Sequence, residues 1–252
     1  MRSWKADPVK ARGVEHRGDD AFIVTCEHGG NRIPAPYRSL FRGHSALLAT
    51  HRGYDPGALV MARALARALD APLVNSTVSR LLVDLNRSIG HPQLFSIVTR
   101  RTPSDVRSRI VARHYLPYRG RVEALVADAV ARGRRVIHVS SHSFTPALDG
   151  HVRRAEVGLL YDPRRTGEVA LGARWKSALE AVAPALRVRR NYPYAGKGDG
   201  LTSHLRRRFP PRAYVGIELE VNQRIVFAGG SPWTALRGAL VESLLVACAR
   251  RG

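Results

Sequence analysis

Cysteine, lysine and acidic residues are all scarce in this chain of 252 residues, and each scarcity closes off a reading. Two cysteines, Cys26 and Cys248, cannot build a disulfide framework and form no Cys-x-x-Cys zinc motif. No uninterrupted apolar run approaches the roughly 20 residues of a membrane span. The basic N-terminus also lacks the apolar segment of a secretory signal, so a cytoplasmic protein with no membrane partner is expected. Asp and Glu number 20 against 41 Lys and Arg, a formal charge of +21. Only Lys5, Lys10, Lys176 and Lys197 are lysines, which leaves 37 arginines. Clustered cations bind polyanions by releasing phosphate counterions. These arginines are scattered instead, densest at 187–190 and 206–208, and the strong preference for Arg over Lys fits a GC-rich coding sequence. No helix-turn-helix, RNA-recognition or zinc-finger pattern accompanies them. No specific nucleic-acid partner is expected, although nonspecific contact with polyanions at low salt is.

What is present is an alternation of strand-like and helix-like segments. Ala21–Val24, Leu73-Val74, Leu81–Val83, 135–140, 156–161, the start at Val188 and 214–221 read as strands. Residues 55–69, 167–182 and 232–250 read as helices, as does 103–132 with an interruption near Pro117. Asp55-Pro56 looks like an N-cap followed by a first-turn proline. The pattern predicts an α/β fold with a mostly parallel or mixed central sheet and helices on both faces. The first 18 residues read as a flexible leader and 19–252 as one domain.

Chemistry-bearing residues gather where strands end, as they do in open α/β proteins. The first strand runs into Cys26-Glu27-His28-Gly29-Gly30, whose glycines leave room beside the imidazole. Others end in Asp84-Leu85-Asn86-Arg87, Ser140-Ser141-His142-Ser143 and Glu218-Leu219-Glu220-Val221-Asn222. Zinc in a hydrolase takes three His or Asp/Glu ligands and keeps a position for water, and His28, Asp55 and His142 can supply that set. Water so activated attacks an amide or ester carbonyl. A carboxylate must then carry the proton to the leaving group, and Glu218 and Glu220, on one face of a strand, both qualify. Arg87 can clamp a substrate carboxylate, with Asn86 beside it. Arg80 can polarise the scissile carbonyl. The loop 191–200 lacks the ending of a phosphate loop and reads as a pocket wall or lid carrying Tyr194, with Gly196, Gly198 and Gly200 freeing its backbone. Two other readings compete. Cys26 activated by His28 would make a thiol amidase, and the arginines would make a non-enzymatic nucleic-acid binder indifferent to metal.

The segments CEHGGNRIP (26–34), HRGYDPGA (51–58), SRLLVDLNRS (79–88), HVSSHSFTP (138–146), NYPYAGKGDGLT (191–202) and IELEVNQR (217–224) come in a telling order. Together they resemble the N-formylglutamate amidohydrolase family from about Thr25 to Arg224. The resemblance implies a fold like the zinc carboxypeptidases and aspartoacylase-type deacylases, a phosphorylase/hydrolase-like α/β domain. It implies a zinc-dependent amidohydrolase acting on a small N-formyl or N-acyl amino acid such as N-formylglutamate. By the same resemblance His28, His142 and Asp55 are the metal ligands and Glu220 is the catalytic carboxylate. Asn86-Arg87 matches the segment that grips a substrate's α-carboxylate. The chain departs from the wider pattern in two places. It has no His-x-x-Glu pair, Glu27 being expected to point away from His28. Val-Ser-Ser precedes His142 in place of an acidic segment, which leaves Ser140 or Ser141 to support that ligand.

Overall fold

Apolar side chains at every second position of Asp20–Cys26 bury Val24 and Cys26 on one side and Ala21 and Ile23 on the other, which makes this segment a strand with two covered faces. The computed structural model describes residues 20–249, so the leader expected at 1–18 lies outside the described residues. The strands are β1 (Asp20–Cys26), β2 (Leu73–Asn75), β3 (Arg135–Phe144), β4 (Ala147–Leu148), β5 (His151–Val152), β6 (Val157–Leu160), β7 (Val188–Arg190) and β8 (Tyr214–Asn222). The helices are α1 (Ser45–Leu48), α2 (Ala58–Ala68), α3 (Ser104–Ile110), α4 (Leu116–Ala131), α5 (Thr166–Val182), α6 (Leu201–Arg208), α7 (Gln223–Ala228) and α8 (Gly230–Cys248). Six strands form one sheet in the order β2-β1-β3-β8-β6-β7, and β4 and β5 form a separate hairpin. Strands β2, β1, β3 and β8 run parallel; β6 is antiparallel to β8 and parallel to β7. The sheet is therefore mixed, in a single α/β domain.

The two faces carry separate cores. Val24, Ile137, Val139, Ile217 and Leu219 pack with Met61, Leu65, Trp175, Leu240 and Leu244 from α2, α5 and α8. Ala21, Ile23, Val136 and Tyr214 pack on the opposite face with Val122 and Val126 of α4 and Leu201 and Leu205 of α6. Toward the carboxyl ends of β1, β3 and β8 this second face turns polar. Thr25, Ser140, Glu218 and Glu220 follow there at alternate positions, and His142 stands directly across from Glu220. The three strand ends that carry the chemistry are thus neighbours.

Three local expectations need correction. Leu81–Val83 is buried but forms turns instead of a strand, so its apolar character reports burial alone. Pro117 does not interrupt the helix. It sits in the first turn of α4, directly after a π-helical turn at Val111–Tyr115. Asp55 is not the N-cap of α2; that position belongs to Gly57, whose φ of 81° suits glycine. A side chain at Gly57 would also meet Val226, and ending the helix there leaves the Asp55 carboxylate free. Helices α6 and α7 and the hairpin are too short to have been marked in the sequence.

Candidate metal centre and substrate cleft

Three loops meet at the carboxyl end of the sheet, and backbone hydrogen bonds fix them to each other. Asp55 N donates to His28 O at 2.9 Å, and Arg80 N donates to Gly53 O at 3.1 Å. On the far side of β3, Ser141 Oγ donates to Ala58 O and Ser143 Oγ to Pro56 O, latching the Asp55 loop onto the sheet. The serine-rich stretch around His142 therefore has a structural use on both faces. Gly29 and Gly30 are required by close packing: a Cβ at Gly29 would lie 2.9 Å from Ser76 O, and one at Gly30 2.8 Å from Thr77 O. They seat the His28 loop against its neighbour and do not make the space for substrate expected of them.

His28, Asp55 and His142 come together, each offering one ligand atom within 4.8 Å of the others. His142 Nδ1 lies 2.9 Å from Asp55 Oδ2 and His28 Nδ1 lies 3.4 Å from the same oxygen. The remaining nitrogen of each imidazole meets a different buried carboxylate. His28 Nε2 is 2.7 Å from Asp84 Oδ1, and His142 Nε2 is 2.9 Å from Glu27 Oε2. Such pairs fix the tautomer and the ring angle of a metal-binding histidine. Glu27 is held in turn by Ser140 Oγ at 2.6 Å and Tyr118 Oη at 2.8 Å. Glu27 points away from His28, as expected, but it serves the other histidine. Its position two residues beyond Thr25 puts it on the face of Ser140 and His142, the one sequence signal for that role. Asp84 pairs with Arg80 and His28.

Electrostatics follow from this packing. Burial alone would raise the pKa of Asp55, but His28, His142 and Arg80 hold it well below the usual carboxylate range. Burial is likewise outweighed at Asp84 by Arg80 and His28, and at Glu27 by His142 and Ser140. Two imidazoles and the ionised Asp55 carboxylate make a donor set suited to a divalent cation, with Asp84 and Glu27 behind the imidazoles. Glu220 behaves oppositely. It is 6% exposed, and its Oε2 has no hydrogen-bond partner among the described residues. Burial, together with Asp55 and Glu218, pushes its pKa up to about 8 against the pull of His142 and Arg80. Glu218 stands one pair further back, opposite Ser140, and accepts from the Thr202 hydroxyl.

Arg80 donates to Asp55 Oδ1 at 3.2 Å and to Asp84 Oδ2 at 2.8 Å, and a quarter of its side chain remains open. It forms one wall of a cleft of about 400 Å³ that Arg52, Arg87 and Arg100 also line. Arg87 donates only to main-chain oxygens, those of Asn86 and Asp199, and its Nε has no partner among the described residues. Tyr115, in the π turn, donates to Arg87 O and so fixes that residue's backbone. Asn86 Oδ1 accepts from Leu201 N at 2.7 Å at the start of α6, so its oxygen is already committed. Tyr194 does not line the cleft; it is 45% exposed and bonded to Arg153. Its loop is packed tightly, since a Cβ on Gly196 would fall 2.1 Å from Tyr161 N. Close approach, and not backbone freedom, explains that glycine. Cys26 is fully buried, and burial followed by Glu27 and Asp55 raises its thiol pKa, the reverse of what activates a nucleophile.

Comparison with known proteins agrees with this architecture. The family model for N-formylglutamate amidohydrolase matches residues 20–227. Gene product Atu2144 of Agrobacterium tumefaciens is 31% identical with a TM-score of 0.78, over 92% of this chain and 90% of that one. The N-formylglutamate amidohydrolase of Ralstonia eutropha JMP134 is 19% identical and shares the fold, with a TM-score of 0.66 over 91% of this chain and 93% of that one. Among curated proteins there is no match.

Proposed function

The chain belongs to the N-formylglutamate amidohydrolase family and is thus a hydrolase of amide bonds acting on a small molecule; we propose that it is metal-dependent and deacylates an N-formyl or N-acyl amino acid. The observation that carries this reading is the trio His28, Asp55 and His142, with each imidazole backed by its own buried carboxylate. Two nitrogens and one carboxylate oxygen suit zinc, which is the ion we propose, although the same donors accept iron, cobalt or manganese. When bound, the ion supplies Lewis-acid polarisation of an acyl carbonyl and acidifies water.

The chain's own groups do the rest. Glu220 takes a proton from the attacking water and returns it to the departing amine nitrogen as the C–N bond breaks. Its free oxygen and a pKa near 8 suit a group that must both accept and release a proton near neutrality. Arg80, pinned by two carboxylates, donates to the acyl oxygen as that atom gains charge. Arg87 receives the carboxylate of the amino acid, and the amide nitrogen of Asn86 stands beside it. The ionised state of Asp55 supports its use as a ligand rather than a base.

Metal content of the purified protein, measured together with hydrolysis of a panel of N-acyl amino acids, tests the reading. About one equivalent of divalent metal and chelator-sensitive turnover are expected. His28→Ala and His142→Ala should each lose both metal and activity. Full activity in either variant would overturn the assignment.

A further inference from the structure

The loop 191–200 does not reach the cleft through Tyr194, but its far end grips the segment that carries Arg87. Asp199 makes that grip with two groups. Its carboxylate accepts from Ser88 N at 2.8 Å and from Ser88 Oγ at 2.5 Å. Its main-chain oxygen accepts from Arg87 Nη1 at 3.0 Å. Because the carboxylate is spent on Ser88, the Arg87 charge stays open to an anion in the cleft. Asp199 itself is seated between anchored neighbours. Ser203 Oγ donates to Gly198 O, Leu201 N donates to Asn86 Oδ1 at 2.7 Å, and a Cβ at Gly200 would lie 2.9 Å from that same oxygen.

Residues 84–88 are strung between two fixed points. At one end Asp84 Oδ1, which lies 2.7 Å from His28 Nε2, also accepts from Asn86 N at 2.9 Å. At the other end Asp199 holds Ser88. Between them Arg119 Nη1 donates to Leu85 O at 3.0 Å and Tyr115 Oη to Arg87 O at 2.7 Å, so the main chain is secured. The Arg87 side chain is held by less. Nη1 donates to Asn86 O at 3.2 Å and to Asp199 O, while Nε is buried without a partner among the described residues. A buried donor left unpaired carries a free-energy cost, so the side chain would not keep this orientation unaided. Asn86 O belongs to the adjacent residue and moves with Arg87. Among the described residues, Asp199 O is thus the one hydrogen-bond acceptor that ties this guanidinium to a separate part of the chain. Nη2 is left uncommitted there, and Arg87 lines the cleft beside Arg80 and Asp84.

We propose that Asp199 is a positioning residue: by clamping Ser88 and accepting from Nη1, it sets the Arg87 guanidinium so that Nη2 meets the carboxylate of the substrate's amino acid. This rests on the deacylase reading above, in which Arg87 receives that carboxylate. It adds a residue 112 positions away in the chain that touches no substrate atom. A hydrogen bond weakens steeply once its donor is misaligned, so loosening the clamp costs affinity for the carboxylate in particular.

The test uses the metal-loaded full chain with the best substrate of the N-acyl amino acid panel and the carboxamide of that same substrate. Asp199→Ala should raise KM for the acid about tenfold, the scale of one hydrogen bond to a charged group, with kcat within about twofold. KM for the carboxamide should hold. Ser88→Ala, which removes one of the two carboxylate contacts, should show the same selective rise at smaller size. Asp199→Asn keeps an acceptor for Ser88 N and a donor for Ser88 Oγ, and should restore KM. In an Arg87→Met background, Asp199→Ala should cost less than about twofold more, because nothing remains for it to position. An unchanged KM for the acid in both Asp199→Ala and Ser88→Ala would overturn the inference and leave the deacylase reading standing. So would an equal rise for acid and carboxamide, or losses that multiply in the double variant. Hydrolysis of no member of the panel would defeat the reading and the inference together.

Discussion

At the scale of single residues, Glu220 and Asp84 make opposite predictions. Glu220 Oε2 has no hydrogen-bond partner among the described residues and Glu220 is not one of the trio, so Glu220→Gln should bind metal normally and lose roughly 10²–10⁴-fold in kcat. Metal analysis beside turnover separates the two, and a fully active variant would remove Glu220 as the base. Asp84 acts through His28, so Asp84→Asn should weaken metal affinity roughly 10–100-fold, read by competition with a chromophoric chelator. An unchanged affinity would leave Asp84 only its salt bridge with Arg80. Sequence alone pointed to His28 and His142 because they sit at or beside strand ends, which can be read from apolar runs, and to Asp55 because its loop precedes a helix that packs on the same sheet. It did not reveal the partners. Asp84 lies 56 residues from His28, and Glu27 lies 115 residues from His142; nothing local links either pair. Asp55 was legible twice over, as ligand and as cap, and only the start of α2 at Ala58 decides between them.

At the scale of elements, a buried imidazole ties β1, β3 and β8 to one another. His138 on β3 lies 2.9 Å from Thr25 Oγ1 on β1 and 2.6 Å from the Tyr214 hydroxyl on β8. Burial, reinforced by Arg206 and His142 and opposed by Glu27, lowers its pKa to about 4. Near pH 7 this ring is neutral in both folded and unfolded chains and favours neither. As pH falls below the ordinary imidazole value of about 6.5, the unfolded chain takes up a proton that the folded one refuses until about pH 4. Stability should fall across that window by about 3 kcal/mol and change no further below it on this group's account. His138→Gln removes the effect, so its unfolding free energy should vary less steeply with pH between 6.5 and 4, whatever its absolute stability. Parallel slopes in urea titrations of the two proteins would refute the coupling. The strands themselves were legible because alternation with two apolar faces admits few other readings. Leu81–Val83 misled for the same reason: three buried apolar residues look alike in a strand and in a pinned turn. Helix α6, with three arginines in its last turn, is held by the Asn86 contact and by Leu201 and Leu205, a pattern too short to read in advance.

At the scale of the whole molecule, the charge of +21 bears on how substrate arrives. No helix among the described residues is long and apolar enough to cross a membrane, and the positive field extends into solvent around the cleft. Arg80 is neutralised by Asp55 and Asp84, whereas Arg52, Arg87 and Arg100 line the same cleft with no carboxylate within salt-bridge distance among the described residues. A carboxylate-bearing substrate is drawn toward that opening, and the attraction is screened as the Debye length shrinks from about 10 Å at 0.1 M salt to about 3 Å at 1 M. Raising salt over this range should lower kcat/KM for an N-formyl amino acid roughly tenfold, with kcat nearly constant because the bonded groups around Glu220 are buried. The matching uncharged amide, N-formyl amino acid carboxamide, provides the control, since it feels neither the long-range field nor the proposed pairing with Arg87. Its kcat/KM should stay level. An equal decline for both substrates would mean that salt acts on the protein and not on the approach of charge. Arg87→Met then divides the remainder, because it should lower kcat/KM for the acid at every salt concentration and leave most of the slope, which belongs to the scattered arginines together.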